Sequence, residues 1–243
     1  MMERFLLMVL GAFWVVSCEK PEVVQVEDGL PPLVFAPVVG EEWEFEVTVS
    51  LDPEAEISKD LVVSGPEGPR TTYKKLRRYV GRKEPEKGKG FYHCFEVYKE
   101  GELAEYEFME LNRLGIHARG WQQAGQSLIL MNSPAMVVPS LEDAGAVWSL
   151  SLPNPNNPSG PPMMFREFRY FGIEPVEVGK EFLQGRRVQV QGQTGPLSLQ
   201  RDYWFVDNLG YVKERKAYYL PSKRVALMEE KLVAHRKPVV ATN

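Results

Sequence analysis

The feature that most constrains the fold is a strict alternation of apolar and polar residues across positions 42–51. The apolar members are Trp43, Phe45, Val47, Val49 and Leu51, and the polar members between them are Glu42, Glu44, Glu46, Thr48 and Ser50. Successive side chains of a β-strand point to opposite faces of its sheet. The stretch therefore predicts a strand with one buried face and one solvated face.

Similar patterns recur along the chain and are separated by turn residues. We expect a hairpin formed by strands 91–98 and 103–111, because Gly101 supplies the positive φ that a tight turn needs. Further strands are predicted at 165–171, 187–191, 197–206 and 211–219. Residues 224–235 contain types that also suit a helix, and the preceding strands favour a closing strand there. The chain is thus predicted to be mainly β and antiparallel, with little helix.

Short motifs recur in the same order in the two halves of the chain. Gly40-Glu41-Glu42-Trp43 is echoed by Gly145-Ala146-Val147-Trp148, and Arg78-Tyr79-Val80-Gly81 by Arg169-Tyr170-Phe171-Gly172. These echoes predict one β domain over 38–235, built from pseudo-repeats at about 38–134 and 139–235. The proline-rich stretch 153–162 is expected to be an irregular linker or a lid-like loop. Residues 236–243 are expected to form a flexible tail.

The N-terminus has the pattern of an export signal. Arg4 precedes an apolar run from Phe5 to Val16, which is too short for a permanent membrane-spanning helix, and Ser17-Cys18 follows. Val15-Val16-Ser17-Cys18 resembles the lipobox of bacterial lipoproteins. That resemblance implies a cleaved signal peptide at 1–17, lipidation of Cys18 and a spacer over 18–37. The alternative is an ordinary secretory leader in which Cys18 is incidental.

The lipobox resemblance also predicts where in the cell the protein is located. Lipidation would tether the protein to a membrane. Aspartate directly after the lipidated cysteine resembles an inner-membrane retention signal, and this chain has Glu19 at that position instead. We therefore expect the outer membrane, with the protein facing the periplasm. The net charge of −4 provides no overall positive field for nucleic acid, so no nucleic-acid partner is expected.

The sequence contains no recognisable catalytic or metal-binding motif. His93, His117 and His235 are isolated from one another, and no Gly-x-Ser-x-Gly motif is present. Cys94 follows His93, but neighbouring strand residues face opposite sides, so the two side chains do not pair. Because Cys94 lies beside Phe95 in an apolar strand pattern, a buried, inert thiol is expected. No cofactor, metal ion or enzymatic activity is therefore predicted.

The body of the chain resembles a group of bacterial envelope proteins. The likeness lies in the strands with Gly turns and in the late elements Tyr203-Trp204-Phe205 and Gly210-Tyr211-Val212-Lys213. Some of these proteins are similar to the lipoprotein carrier and outer-membrane receptor fold. This resemblance implies a strongly curved antiparallel sheet, an incomplete barrel, around an apolar cavity. The aromatic residues that could line such a cavity, or simply form a packed core, are Trp43, Phe45, Phe95, Phe108, Trp148, Tyr203 and Phe205. Trp121 is expected to be exposed.

One local stretch is strongly basic and could meet an anionic partner. Its cations, which could also form an ordinary solvated face, are Lys74, Lys75, Arg77, Arg78, Arg82 and Lys83, with Lys87 and Lys89 beyond them. The leading hypothesis is a lipid-anchored, non-enzymatic protein that binds an apolar or amphipathic ligand such as an acyl chain. The alternative is a structural or assembly lipoprotein that docks a periplasmic protein and has no ligand cavity.

Overall fold

A computed structural model describes residues 35–51, 64–65, 68–69, 72–140, 143–152, 162, 164–194, 197–221 and 223–238. The signal peptide, Cys18, most of the spacer and most of the predicted proline-rich loop lie outside these residues. No helical segment among the described residues has the length and apolar character needed to cross a membrane.

All regular structure in the described residues is β-strand. The strands are β1 (Glu42–Leu51), β2 (Ser64–Gly65), β3 (Gly68–Pro69), β4 (Thr72–Lys83), β5 (Tyr92–Lys99), β6 (Glu102–Asn112), β7 (Gly115–Gln123), β8 (Ile129–Pro139), β9 (Val147–Leu152), β10 (Met164–Val178), β11 (Glu181–Thr194), β12 (Leu197–Val206), β13 (Gly210–Leu220) and β14 (Lys223–Arg236). The closing strand predicted at 224–235 is β14, so the helical alternative for that segment is wrong.

Twelve of these strands form one antiparallel, barrel-like sheet in the order β8-β7-β6-β5-β4-β1-β14-β13-β12-β11-β10-β9, and β2 pairs with β3 separately. The chain therefore makes two six-stranded meanders, which meet where β1 pairs with β14 from Glu42↔Arg236 to Leu51↔Ala226. The predicted mainly β, strongly curved antiparallel sheet is confirmed.

Both motifs of the second sequence echo lie at irregularities of the ladder. Register shifts occur between Tyr79 and Arg82 and between Tyr170 and Gly172, where Gly81 and Gly172 have φ of 89° and 95°. A bulge with a left-handed glycine bends its strand and strengthens the local twist, which helps a sheet to curl. Corresponding backbone bonds reach these strands, from Gly40 N to the Tyr79 carbonyl at 2.8 Å and from Gly145 N to the Tyr170 carbonyl at 2.7 Å. The internal duplication itself stays a prediction.

An aromatic core fills part of the inside of the sheet. Trp43, Phe95 and Phe205 are at most 1% exposed, and Phe35 packs among them. The ring of Phe35 meets Phe205 edge-on at 5.1 Å and lies 6.0 Å from Trp43. The indole N–H of Trp43 donates to the carbonyl of Leu209, so this buried polar group is satisfied. The core therefore joins β1 and β5 of the first meander to β12 of the second.

The two edges of the sheet, β8 and β9, form a seam. Three side chains from the second meander donate to β8 or to the residue after it. Trp148 Nε1 donates to the Met136 carbonyl at 2.8 Å, and the Tyr203 hydroxyl donates to the Val137 carbonyl. Arg186 Nη1 donates to the Ser140 carbonyl at 3.3 Å. Side chains thus satisfy carbonyl groups that an exposed sheet edge would leave to solvent or to another chain.

Replacing Phe205 tests the aromatic core. We expect Phe205→Ala to lower the free energy of unfolding by about 3–5 kcal/mol, because it leaves a cavity among fully buried rings. The matched control is Phe182→Ala, since Phe182 is 74% exposed and its truncation should change stability by less than about 0.5 kcal/mol. Urea unfolding measures both. Equal effects of the two substitutions would contradict the placement of Phe205.

Removing one hydroxyl tests the seam. Tyr203→Phe deletes the bond to the Val137 carbonyl and should speed amide exchange in β8 by about fivefold, because one hydrogen bond contributes about 1 kcal/mol. Tyr98→Phe is the control, since it removes a hydroxyl bond to Glu96 that lies away from the seam. Hydrogen–deuterium exchange resolved by peptide measures the effect. Faster exchange spread evenly over the sheet would argue against a local role.

Candidate functional site

A cavity of about 370 Å³ lies inside the sheet. One part of its wall is apolar and is drawn from both meanders and from both edge strands. Its members include Phe45, Met109, Trp121, Leu150, Phe168 and Val190. This volume lies within the range of about 300–1,000 Å³ that is typical of small-molecule sites. The fold thus retains a partly open cavity beside its packed core.

Another part of the wall is a group of charged side chains that we call the five-residue ion network. Its members are Lys75 of β4, Arg201 of β12, Glu214 and Lys216 of β13, and Glu230 of β14. Strand alternation places each of them on the inner face, because they share parity with buried neighbours such as Tyr73, Tyr203 and Leu232.

Each carboxylate of the network is shared by two cations. Glu230 accepts from Lys75 and also lies 3.5 Å from the ammonium of Lys216. Glu214 Oε1 lies 2.7 Å from Lys216 Nζ, and Glu214 Oε2 accepts from Arg201 Nη2 at 2.9 Å. The network is therefore a continuous chain across β4, β14, β13 and β12, with three cations and two carboxylates.

A separate ion pair stands between the cavity and the aromatic core. Arg77 Nε donates to Glu107 Oε2 at 2.8 Å, and the guanidinium lies 3.7 Å from the centre of the Phe95 ring. Burial alone raises the pKa of Glu107, but the combined effect of Arg77, Lys75 and Arg201 outweighs burial and lowers that pKa. Arg77 therefore contacts the aromatic core with its flat face and neutralises a cavity carboxylate with its edge.

Burial and charge change the protonation of the network. Burial alone raises the pKa of Glu230, but Lys75 and Lys216 outweigh it and lower that pKa to about 2. For Lys216, burial exceeds the attraction of Glu230, and its pKa falls to about 8. Glu105 lies on the same wall, and its pKa is raised by burial and then by the neighbouring carboxylate of Glu107. An ordinary neutral pH thus leaves Glu230 ionised and most Lys216 protonated.

The aromatic residues selected from the sequence divide between the cavity and the core. Phe45 and Phe108 line the cavity, and Phe45 also belongs to the hydrophobic core. The other five lie in the hydrophobic core or pack against it, namely Trp43, Phe95, Trp148, Tyr203 and Phe205. Trp148 stacks on Phe168 at 5.5 Å, so it supports a cavity-lining ring. Trp121, which was expected to be exposed, is partly buried and lines the cavity instead.

The basic stretch is divided between the two faces of β4. Lys75 and Arg77 point inward to the cavity, whereas Lys74 and Arg78 point outward and pair with Glu44 at 3.2 Å and Glu42 at 2.7 Å. Beyond the bulge, Arg82 donates to the Phe91 carbonyl at 2.9 Å, and Lys83 lies 3.6 Å from Glu96. The six cations therefore do not form one surface.

The inward orientation of Lys75 and Arg77 is indicated by the sequence. Lys75 and Arg77 have the same parity as Tyr73 and Tyr79, so a strand that buries the tyrosines also turns these two cations inward. Their partners were not identified from the sequence, because Glu230, the partner of Lys75, and Glu107, the partner of Arg77, lie at least thirty positions away. Cys94 is fully buried as expected, and burial raises its thiol pKa to about 11.

Comparisons with known proteins find two distant structural matches. No family model matches the chain, and no curated protein matches it. One solved structure, of a Bacteroides fragilis protein described as exported and with a YmcC-like fold, shares 12% identity and a TM-score of 0.39, covering 85% of this chain and 100% of that chain. Another, a Parabacteroides distasonis protein described as a lipoprotein, shares 10% identity and a TM-score of 0.34, covering 85% and 99%.

The acid limb of the stability curve tests Glu230. Its pKa is about 2 in the folded protein against an ordinary 4.5, so its stabilisation is complete above about pH 4.5 and is lost as the pH falls toward 2. We expect Glu230→Gln to be less stable than the wild type by about 3 kcal/mol near neutral pH, with the difference shrinking toward about pH 2. Urea unfolding across this range measures it.

The matched control is Glu229→Gln. Glu229 is the neighbouring carboxylate, is 44% exposed and lies 3.9 Å from Arg215 on the outer face. Its loss should change stability by less than about 1 kcal/mol at every pH. A Glu230→Gln difference that stays constant from neutral to acid pH would show that the charge of Glu230 does not stabilise the fold.

Proposed function

We propose that this protein is a lipid-anchored, non-enzymatic component of the bacterial envelope that binds a ligand with an apolar chain inside its curved sheet. The anchor in this proposal is acylated Cys18, and the domain faces the periplasm from the outer membrane. The observation that carries the binding role is the partly open cavity of about 370 Å³, with an apolar wall drawn from both meanders.

The size of the cavity suits a single small amphiphile. At about 30 Å³ for each water-sized unit, its volume accommodates on the order of a dozen non-hydrogen atoms. Transfer of the ligand's apolar surface out of water would contribute about 25 cal/mol for each Å² buried. A medium-length alkyl chain with one polar end has about this number of atoms and provides apolar surface to bury.

The seam offers the ligand a route. Val137 of β8 and Leu150 of β9 both line the cavity, so the apolar wall reaches the two edges of the sheet. These edges are joined to the rest of the sheet on one side only, and the three side-chain bonds described above supplement that pairing. Local opening of β8 breaks fewer hydrogen bonds than opening of an interior strand.

A second candidate function is docking of a periplasmic protein. The observation that favours it is the exposure of four large apolar side chains along β10 and β11, namely Phe165, Phe171, Ile173 and Phe182. Exposed apolar groups of this kind are common at protein interfaces. This role needs no ligand, so uptake measurements separate the two candidates.

Filling the cavity tests the proposed function. Ala118 lines the cavity, and Ala118→Phe should reduce uptake of decanoate and of 1-decanol by at least about tenfold, because the ring occupies ligand space. Native mass spectrometry of the purified protein, without detergent, measures the fraction bound. The control is Ala124→Phe, the same substitution at an exposed position. Failure of the wild type to take up either compound would reject the cavity as a binding site.

A further inference from the structure

The charges around the cavity are unequal. The five-residue ion network has three cations for two carboxylates, and each carboxylate is already shared between cations. The remaining cavity residues include Arg77 with its partner Glu107, and also Arg166 and Glu105. Cations therefore outnumber carboxylates around the cavity even when Glu105 is ionised.

The surplus charge lies next to apolar rings. The ammonium of Lys75 is 5.2 Å from the centre of the Phe45 ring, and the guanidinium of Arg201 is 4.7 Å from that of Tyr203. Lys216 bridges the two carboxylates between them. A bound molecule of the size estimated above could therefore place one end beside the network and its other end against the apolar wall.

We infer that the ligand of this cavity is an amphipathic anion, in which one acidic group, a carboxylate or a phosphate, binds beside Lys75, Lys216 and Arg201 while its alkyl chain lies on the apolar wall. This inference rests on the proposed function and specifies its ligand class. An acidic group compensates the surplus cation, whereas a cationic head group would add to it. A neutral head group would bury polar atoms without neutralising any charge.

The wild-type protein can be tested with head groups on a constant chain. Decanoate, 1-decanol and decyltrimethylammonium share the alkyl chain, and acetate carries the anion without it. We expect decanoate to bind at least about tenfold more tightly than 1-decanol, because hydrogen bonds to charged groups are the stronger ones. Decyltrimethylammonium should bind most weakly among the three, and acetate should not bind measurably. Decyl phosphate in place of decanoate separates a phosphate head group from a carboxylate.

The outcomes separate the inference from the function on which it depends. Equal binding of decanoate and 1-decanol would overturn the anionic ligand class and leave the proposed function intact. Binding of acetate as tight as that of decanoate would overturn the amphipathic ligand in favour of a simple anion site. Binding of none of the compounds would reject the proposed function together with the inference.

Lys216 is the residue whose replacement isolates the surplus charge. In Lys216→Met, Glu230 keeps Lys75 and Glu214 keeps Arg201, so neither carboxylate is left unpaired and the fold should persist. We expect decanoate affinity to fall about tenfold while 1-decanol affinity is unchanged. Lys231→Met is the matched control, because Lys231 is exposed beside Glu230 in the sequence, and neither affinity should change.

A conservative variant guards against a purely structural effect. Lys216→Arg keeps the positive charge and should retain the preference for decanoate over 1-decanol. The arginine variant could instead lose that preference to the same degree as Lys216→Met, while both variants still bind 1-decanol. That result would overturn the assignment of the acidic group to this position.

Discussion

The contact between Glu230 and Lys75 is the interaction on which the inside of this sheet depends. Glu230 lies on β14 and Lys75 on β4, and both strands flank β1, so the pair crosses the junction where the two meanders meet. Their side chains are 5% and 16% exposed, and burying either charge alone would cost several kcal/mol. Lys216, Glu214 and Arg201 extend the pair across two further strands. Correct pairing of the meanders and neutralisation of the buried charges therefore require each other.

This charged wall also explains why the inside of the sheet is not filled. Ion pairs hold these long side chains in fixed positions, and closing the space would separate buried charges from their partners, so the charged wall does not collapse as a purely apolar one would. Phe35, Trp43, Phe95 and Phe205 provide the close-packed part of the interior. Arg77 lies between the two regions, with its guanidinium on Phe95 and its edge toward Glu107. The close-packed aromatic core and the open cavity thus occupy different parts of the inside of one sheet.

Much of the architecture was predictable because strand signals are local. The alternation at 42–51 is β1, and the turn at Glu100 and Gly101, with φ of 50° and 86°, joins β5 to β6 as expected. Gly81 and Gly172, recognised as part of a recurring motif, have the backbone conformation of bulges. Strand β8 was not predicted, because Pro134 and Pro139 interrupt its pattern, and proline is tolerated in strands mainly at a sheet edge.

The sequence by itself determined an antiparallel β fold, the positions of its main turns and the parity that turns Lys75 and Arg77 inward, since each depends on residues close together in the chain. The tertiary structure alone decided which buried aromatic residues also border the cavity, because Phe45 does and Phe95 does not, although both have the same local pattern. It also decided that Lys75 meets Glu230 rather than a partner on the surface. Such pairing depends on which strands, far apart in the sequence, become neighbours when the sheet curls. Local periodicity shows which face a residue occupies, but not which distant residue lies beside it.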